Sequence, residues 1–336
     1  MNARFACALF AGAMLLSAPA IPAQAETIKV GLSKLVSYPA MPIGIAHGYF
    51  KEQGIDAEMV FFDSAQPIAI AVASGAVDFG VSGLSAGFYT LAAQGQLRLL
   101  ASSAGEEPGF YNLVILASNK AYDDGLKTVK DLPGRDIGVT QLGTSLHYVV
   151  GLVAEKYGFP LSAVTIKPVQ SNSNVMSALI GGTLAAGVMP GTPTLSVVQK
   201  GDVKRLAWAG DIVPGWMGSA LFTGTKTTNE RGDMIKRFLV AYRKATKDYH
   251  DAFATPDDKR KDSSAAPEIL KILSDFSGAP GEEIDKAPPF LDAQARVNVD
   301  DVGRQIAWYR GQNLMKGDIK AEELVDTRYA IPVNRK

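Results

Sequence analysis

The stretch GIAHGYFKEQGIDAEMVFF at positions 44–62, followed by SGAVDFGV at positions 74–81, decides the fold. Gly54 is placed to close a first helix, and the apolar run MVFF follows it. Gly75 is placed to close a second helix, and the run VDFGV follows in turn. Helices and strands that alternate in this way predict an α/β protein with a parallel sheet.

The same residues resemble a family motif. In the alkanesulfonate, taurine, nitrate and thiamine-pyrimidine branch of type II periplasmic solute-binding proteins, a helix end G-[YF]-F-x-x-x-G-[IL]-[DE] precedes a turn G-x-x-D-x-[GA]. This chain has GYFKEQGID at positions 48–56 and GAVDFG at positions 75–80. The resemblance extends from about Ile28 to Ala330.

This resemblance implies a two-lobed type II periplasmic-binding fold. Each lobe is expected to be a mostly parallel sheet flanked by helices, and two hinge strands are expected to join the lobes. The resemblance also implies a transport receptor and not an enzyme. Such a receptor is the substrate-binding component of an ABC import system, and its partner is a permease in the inner membrane. We expect a monomer without a cofactor or a metal site.

An internal repeat supports two similar lobes. The segments that begin at Ser64 and at Ser171 each contain a polar helix start, a short apolar helix, a glycine and a buried strand. One departure is Ala185, which stands where the first copy has Asp78, so the second turn is expected to be held differently. With crossings predicted at Tyr111 to Ala117 and at Gly218 to Gly224, the predicted limits are residues 26–114 and 221–336 for lobe 1 and residues 115–220 for lobe 2.

The first 25 residues have the pattern of a signal peptide. Arg4 precedes an apolar run from Phe5 to Leu16, and the small-x-small triplet ending at Ala25 predicts cleavage there and export to the periplasm. The one cysteine, Cys7, falls inside this segment, so no disulfide and no thiolate metal site is expected in the mature chain.

The overall charge argues against a nucleic-acid partner. The chain has 34 Lys and Arg against 34 Asp and Glu, with no basic block. A nucleic-acid-binding protein would carry a basic face. A small anion needs only a local site, so the neutral balance leaves that ligand class open.

Ligands of open parallel sheets bind beyond the carboxyl ends of the strands, where loops lead into helix N-termini. The loop from Gln141 to His147 fits such a site best, because Gly143 permits close backbone approach and Thr144 or Ser145 precedes an apolar-faced helix. The free N–H groups of a helix N-terminus can hold a sulfonate or carboxylate without Lys or Arg. The alternative role of Thr144 and Ser145 is to cap their own helix.

Other cleft loops contribute further candidates. His147 could donate to an anion, and Tyr38 and Trp216 could stack on an aromatic solute. The predicted ligand is a small organic anion, an alkyl or aryl sulfonate or a carboxylate, and the alternative is a neutral heterocycle such as a thiamine pyrimidine precursor. The full set of predicted ligand-binding residues is Ser37, Tyr38, Gln66, Ser82, Ser85, Gln141, Gly143, Thr144, Ser145, His147, Met189, Pro190, Asp211 and Trp216.

A secreted serine hydrolase is a competing reading. Residues 83–87, GLSAG, match the Gly-x-Ser-x-Gly nucleophile elbow, with Ser85 as the nucleophile. A hydrolase also needs a histidine after an acidic residue, and the downstream histidines are His147 and His250. His250 lies in a predicted helix and no Gly-rich oxyanion loop precedes Ser85, so the pattern favours a receptor.

Overall fold

The computed structural model describes residues 25–261 and 266–334. Residues 1–24 of the predicted signal segment, including Arg4 and Cys7, lie outside the described residues. Within the described ranges, no helix is both long enough and apolar enough to cross a membrane.

Strands and helices alternate along most of the chain. The strands are β1 (Glu26–Leu32), β2 (Ile55–Phe61), β3 (Phe79–Gly83), β4 (Leu97–Ser102), β5 (Ala104–Gly105), β6 (Leu113–Ser118), β7 (Asp136–Val139), β8 (Thr165–Pro168), β9 (Ala186–Pro190), β10 (Val203–Trp208), β11 (Ser219–Gly224), β12 (Phe290–Leu291), β13 (Val297–Asn298) and β14 (Pro332–Val333). The helices are α1 (Ala40–Ala46), α2 (Tyr49–Glu52), α3 (Ala65–Ala73), α4 (Ala86–Ala93), α5 (Asn119–Asp123), α6 (Ser145–Tyr157), α7 (Asn172–Ile180), α8 (Leu195–Lys200), α9 (Ala209–Ile212), α10 (Thr225–Glu230), α11 (Gly232–Phe253), α12 (Pro267–Ser277), α13 (Gly281–Lys286), α14 (Val299–Gly311) and α15 (Ala321–Leu324). Short 3-10 turns occur at Val129–Asp131, Leu161–Ala163 and Thr192–Thr194.

The first sheet has the strand order β2-β1-β3-β11-β4. β1 lies parallel to β2 and β3, and its Val30 pairs with Met59 on one side and Phe79 on the other. β11 runs antiparallel to both of its neighbours, β3 and β4. Every residue of β3 and of β11 is buried, as expected for strands covered by helices on both faces.

The second sheet repeats this topology. Its order is β8-β7-β9-β6-β10, with β7 parallel to β8 and β9 and with β6 antiparallel to β9 and β10. β6 therefore takes the place that β11 has in the first sheet. The two similar α/β lobes, each mostly parallel with one antiparallel strand, confirm the predicted fold class.

The internal repeat corresponds to α3 with β3 in the first lobe and α7 with β9 in the second. The carboxylate of Asp78 in the first turn accepts a hydrogen bond from the backbone N–H of Lys29 on β1, at 2.8 Å. In the second turn the roles are exchanged, because the N–H of Ala185 donates to the carboxylate of Asp136 on β7, at 2.6 Å. The expectation that the second turn is held differently is confirmed.

The chain crosses between the sheets in two connections that differ slightly from the predicted ones. Tyr111 to Ala117 and Gly218 to Gly224 lie mostly within β6 and β11, which are sheet strands. The connections themselves are residues 103–112 and residues 209–218. They are tied to each other, because the N–H of Glu106 donates to the carbonyl of Trp216 at 2.9 Å. The apolar runs identify strands correctly, but the chain changes sheets in the segments before them, which contain β5 and α9.

The C-terminal helix α14 packs against both lobes. The hydroxyl of Tyr309 donates to the carbonyl of Leu84 in the first lobe, at 2.9 Å. On the second lobe, the ring of Trp308 lies edge-on to Tyr148 with centroids 5.1 Å apart, and it packs so closely on Gly151 that a Cβ there would collide with it. One apolar core is therefore continuous between the lobes beneath the cleft.

Candidate functional site

A cavity of about 70 Å³ lies between the two lobes. It offers room for several water molecules, since one water needs roughly 10–15 Å³ measured in this way. Its walls come from the carboxyl ends of parallel strands in both sheets, as the sequence predicts for a ligand site. The lining residues are Ser33, Leu35, Ser37, Tyr38, Asp63, Ser64, Ala65, Gly83, Asn112, Leu113, Thr140, Thr144, Ser145, Leu146, Asn172, Pro190, Gly218 and Ser219.

Three helices begin at the wall of this cavity: α3, α6 and α7. Their N-caps are Ser64, Thr144 and Ser171, of which only Ser171 caps its own helix by accepting a hydrogen bond from a backbone N–H. The hydroxyl of Thr144 instead donates to the carbonyl of Gln141, at 2.9 Å. The N–H groups in the first turn of α6 therefore have no side-chain cap, which is the state that suits an anion.

The electrostatics of the cavity come from the backbone more than from side chains. Among the described lining residues there is no Lys or Arg, and Asp63 is the one formally charged side chain. Asp63 is exposed and stands just before the start of α3, where a helix N-terminus compensates a carboxylate. The helix N-termini thus supply the positive potential of the site.

The hydroxyl groups of Ser37 and Tyr38 at the cavity are neutral and have partners within the protein. The hydroxyl of Ser37 donates to Oδ1 of Asn112 at 2.7 Å. Tyr38 is 8% exposed, and burial raises the pKa of its phenol to about 12 against the opposing effect of the Gly83 backbone. Tyr38 is therefore neutral near pH 7, and it offers a ring and a hydroxyl to a ligand.

Five of the residues predicted from the sequence line the cavity. They come from three segments in both lobes, and they are Ser37, Tyr38, Thr144, Ser145 and Pro190. Sequence reasoning missed Asn112, Asn172 and Ser64 as individual residues. The sequence predicts polar helix starts at Ser64 and Ser171, and that pattern is the signal available for Ser64 and Asn172.

The remaining predicted residues stand outside the cavity lining, and their contact with ligand stays a prediction. In the first lobe, Gln66 is half-buried beside α4, the hydroxyl of Ser82 donates to the Gly83 carbonyl at 3.1 Å, and Ser85 caps α4. Met189 is buried in β9, Asp211 lies in α9, and Trp216 is buried in the second crossing connection. Gln141 precedes the α6 loop, and its Oε1 is buried without a hydrogen-bond partner.

His147 and Gly143 hold the α6 loop in place. Nδ1 of His147 accepts a hydrogen bond from the backbone N–H of Gly143 at 3.1 Å, and the imidazole packs edge-on against Trp308. Burial lowers the pKa of His147 to about 4, so the ring is neutral near pH 7. Space beside Gly143 is taken by Ala86 of the other lobe, since a Cβ at Gly143 would lie 2.8 Å from the Cβ of Ala86.

Ser85 lies in the geometry of a helix cap. It is fully buried, and its Oγ accepts a hydrogen bond from the backbone N–H of Phe88 at 3.1 Å. The two downstream histidines have other partners, His147 the backbone of Gly143 and His250 the carboxylate of Asp258. The nucleophile-elbow pattern therefore coincides with an ordinary strand-to-helix turn.

The sequence profile of the family described as NMT1/THI5 like matches residues 40–258 of the chain. The chain belongs to the NMT1/THI5-like family. The match includes the GYFKEQGID and GAVDFG motifs, and it confirms the resemblance on which the expected fold was based. No curated protein sequence matches this NMT1/THI5-like chain.

Solved structures resemble this NMT1/THI5-like protein over most of its length. The alkanesulfonate-binding protein SsuA from Xanthomonas axonopodis pv. citri, bound to MOPS, is 17% identical with a TM-score of 0.69, and the alignment covers 91% of this chain and 98% of that one. The periplasmic aliphatic sulphonate binding protein SsuA from Escherichia coli is 18% identical with a TM-score of 0.68, covering 93% and 94%. The periplasmic nitrate-binding protein NrtA from Synechocystis PCC 6803 is 14% identical with a TM-score of 0.70, covering 92% and 86%. At these identities the likeness establishes the fold.

Proposed function

We propose that this chain is the periplasmic solute-binding component of an ABC import system. In this role it captures a small organic anion, an alkyl or aryl sulfonate or a carboxylate, between its lobes and delivers it to a permease in the inner membrane. The observation that carries the proposal is the uncapped N-terminus of α6 at the wall of the interlobe cavity. Such an end presents free N–H groups and partial positive charge to an anion.

The similar structures are named as binding proteins for small anions, two for sulfonates and one for nitrate. One of them is bound to MOPS, a sulfonate. A solute held in this cavity would touch Ser37 and Tyr38 of one lobe and Thr144 and Ser145 of the other. Contact with both lobes stabilises the closed arrangement by the difference in affinity between the two states.

The wider organisation follows from the same proposal. Residues 1–25 would be removed after Ala25 on export, and the mature chain would act as a monomer. The predicted lobe limits are residues 26–114 with 221–336 and residues 115–220. Shifted by a few residues so that β6 lies wholly in lobe 2 and β11 wholly in lobe 1, these lobes would move about the connections at 103–112 and 209–218. We expect no catalytic step in this role, and the helix-cap hydrogen bond of Ser85 supports that expectation against the hydrolase alternative.

A neutral heterocycle, such as a thiamine pyrimidine precursor, is the second candidate. Two features favour it: the ring of Tyr38 and the carboxamide of Asn172 at the cavity, groups that suit stacking on and pairing with a nitrogen ring. The absence of Lys and Arg from the described lining is compatible with both ligand classes.

Thermal melting with a ligand panel tests the proposal. The panel contains ethanesulfonate, benzenesulfonate, benzoate, nitrate and a 4-aminopyrimidine, each added to the purified mature chain. A ligand at a thousand times its dissociation constant stabilises a protein by about 4 kcal/mol, which gives a clear rise in melting temperature. We expect at least one organic anion to produce this rise. A rise with the pyrimidine alone would favour the second candidate.

A further inference from the structure

The hydroxyl of Ser64 has no hydrogen-bond partner in the part of the chain that the structure describes. Ser64 is the N-cap residue of α3, lines the cavity and is 8% exposed. Its Oγ is not one of the unpaired polar atoms that the protein encloses completely, so the oxygen reaches the space of the cavity. A nearly buried hydroxyl without a partner at a ligand cavity marks a place for an acceptor on the ligand.

The internal repeat shows that a serine at this position can serve its own helix instead. Ser171, the equivalent residue of the second lobe, caps α7, because its Oγ accepts a hydrogen bond from the N–H of Asn174 at 3.2 Å. Ser64 has the same extended backbone at the start of α3, but its side chain makes no cap hydrogen bond. The start of α3 therefore has no need of the Ser64 hydroxyl, which is left available to a solute.

Charge distinguishes the start of α3 from the start of α6. Asp63 directly precedes Ser64, lines the cavity and is exposed. A helix N-terminus carries about +0.5 of an elementary charge, so the full negative charge of a carboxylate outweighs it. The first turn of α6 and the loop before it contain no acidic residue. The start of α6 therefore suits the anionic group of a solute, whereas the start of α3 suits an acceptor without charge.

We infer that the solute is an organic anion with a second, neutral hydrogen-bond acceptor, such as a carbonyl oxygen, and that Ser64 is the specificity-determining residue that donates to it. This inference rests on the proposed function, which supplies the anion site at α6. Ser64 belongs to the first lobe and α6 to the second, so such a solute is held from both sides of the cleft. A site built to hydrogen-bond a polar group rejects an analogue that lacks it.

Three sulfonates of nearly equal size and shape test the inference. Acetonesulfonate has a carbonyl oxygen, methallylsulfonate has a methylene group in its place, and sulfoacetate has a carboxylate. Calorimetric titration of the wild-type chain should show acetonesulfonate binding at least tenfold more tightly than either of the others. In Ser64→Ala the preference for acetonesulfonate over methallylsulfonate should fall to within about twofold, a change of ~1 kcal/mol or more.

Two further variants separate binding from structure. Ser64→Thr keeps a hydroxyl and should keep most of the preference. Ser173→Ala is the matched control, since Ser173 is exposed in α7 and does not line the cavity, and it should bind all three probes as the wild type does. Ser64→Ala should leave the melting temperature of the free protein nearly unchanged, because no cap is lost, whereas Ser171→Ala should lower it.

Each contrary result overturns a stated part of the inference. Equal affinity of the wild type for acetonesulfonate and methallylsulfonate would remove the role of Ser64 and leave the anion site standing. Tightest binding of sulfoacetate would show that the start of α3 holds a second anion and not a neutral acceptor. If none of the three probes binds although ethanesulfonate does, this inference fails alone. If no organic anion of either set binds, the proposed function fails with it.

Discussion

The backbone carbonyl of Gly143 accepts a hydrogen bond from the backbone N–H of Ala86 across the cleft, at 2.7 Å. Ala86 is the first residue of α4 in the first lobe, and Gly143 lies in the loop before α6 in the second. Gly143 has a φ of 74°, a conformation that suits glycine. The close approach expected of Gly143 is therefore made to the opposite lobe, and this contact joins the two lobes directly beside the proposed ligand site.

Gly143→Ala should impair closure. The new Cβ would lie 2.8 Å from the Cβ of Ala86, so the lobes could meet only after a shift of one of the two loops. We expect the affinity for a bound anion to fall at least tenfold, about 1.4 kcal/mol, and small-angle scattering to show less compaction on addition of ligand.

Gly158→Ala is the control that separates two effects of Gly143→Ala, the impaired closure of the lobes and the backbone strain at a left-handed position. Gly158 also has a φ of 74°, but nothing lies within 4 Å of its Cβ position. Both variants should lose about 1 kcal/mol of unfolding free energy through the left-handed backbone, whereas only Gly143→Ala should lose affinity. Equal affinities in the two variants would show that the contact between Gly143 and Ala86 has no role in binding.

Acid should destabilise the protein through His147. Burial lowers its pKa to about 4 from 6.5, so in this range the unfolded chain takes up a proton that the folded chain does not. Stability present above pH 6.5 is therefore lost as the pH falls towards 4, by an amount on the order of 3 kcal/mol. Urea unfolding between pH 4 and pH 8 measures this loss.

His147→Asn is the comparison for that titration. Its amide oxygen can take the position of Nδ1 and accept from the Gly143 N–H but does not titrate, so the stability of this variant should change less between pH 6.5 and pH 4. Anion affinity of the wild type should be constant between pH 6 and pH 8, because the ring is neutral throughout. A rise in affinity on acidification through pH 6.5 would indicate an imidazolium contact with the ligand.

Ser85→Ala should behave as the loss of a helix cap. We expect a loss of about 1 kcal/mol of unfolding free energy and no change in ligand affinity beyond twofold. Ser171→Ala, which removes the equivalent cap from α7, should cost a similar amount. The wild type should hydrolyse 4-nitrophenyl acetate no faster than buffer, and hydrolysis that disappears in Ser85→Ala would restore the hydrolase reading.

Gly151→Ala should weaken the packing of α14 on α6. A Cβ at Gly151 would collide with the ring of Trp308, and overpacking of this kind costs about 1–3 kcal/mol of unfolding free energy. Adding Trp308→Leu should return part of the loss, because the smaller side chain leaves room for the methyl group. Urea unfolding of the two single variants and the double variant measures how much of the loss is returned. If the losses of the two single variants simply add up in the double variant, the methyl group does not collide with the ring of Trp308.

The order of strands and helices could be predicted because each element is determined by residues that are close together in the sequence. Gly75 and Gly182 end helices in matching positions, and the apolar runs after them become β3 and β9. The exchange of hydrogen-bond roles between Asp78 and Asp136 could be expected only as a difference, because Asp136 lies far from Ala185 in the chain. Local pattern thus determines the elements but leaves the partners of their polar groups open.

The site could be predicted in part for the same reason. Thr144 and Ser145 were found because a helix start after a strand is a local signal. The pairing of Gly143 with Ala86 depends on how the lobes meet, and no residue pattern near either position encodes that angle. The position of Asn172 at the cavity likewise depends on which neighbours fold around it, so the sequence pattern identifies its segment but not this residue.

Calorimetric titration of wild type, Ser145→Ala and Ser145→Pro tests the central claim most directly. Ser145 is the first residue of α6 and follows a residue in an extended conformation, a position where proline is tolerated while removing one backbone N–H from the cavity wall. The account predicts one organic anion bound per chain by the wild type and by Ser145→Ala, with affinity at least tenfold weaker in Ser145→Pro. A folded Ser145→Pro that binds the anion as tightly as Ser145→Ala would contradict an anion site at the N-terminus of α6.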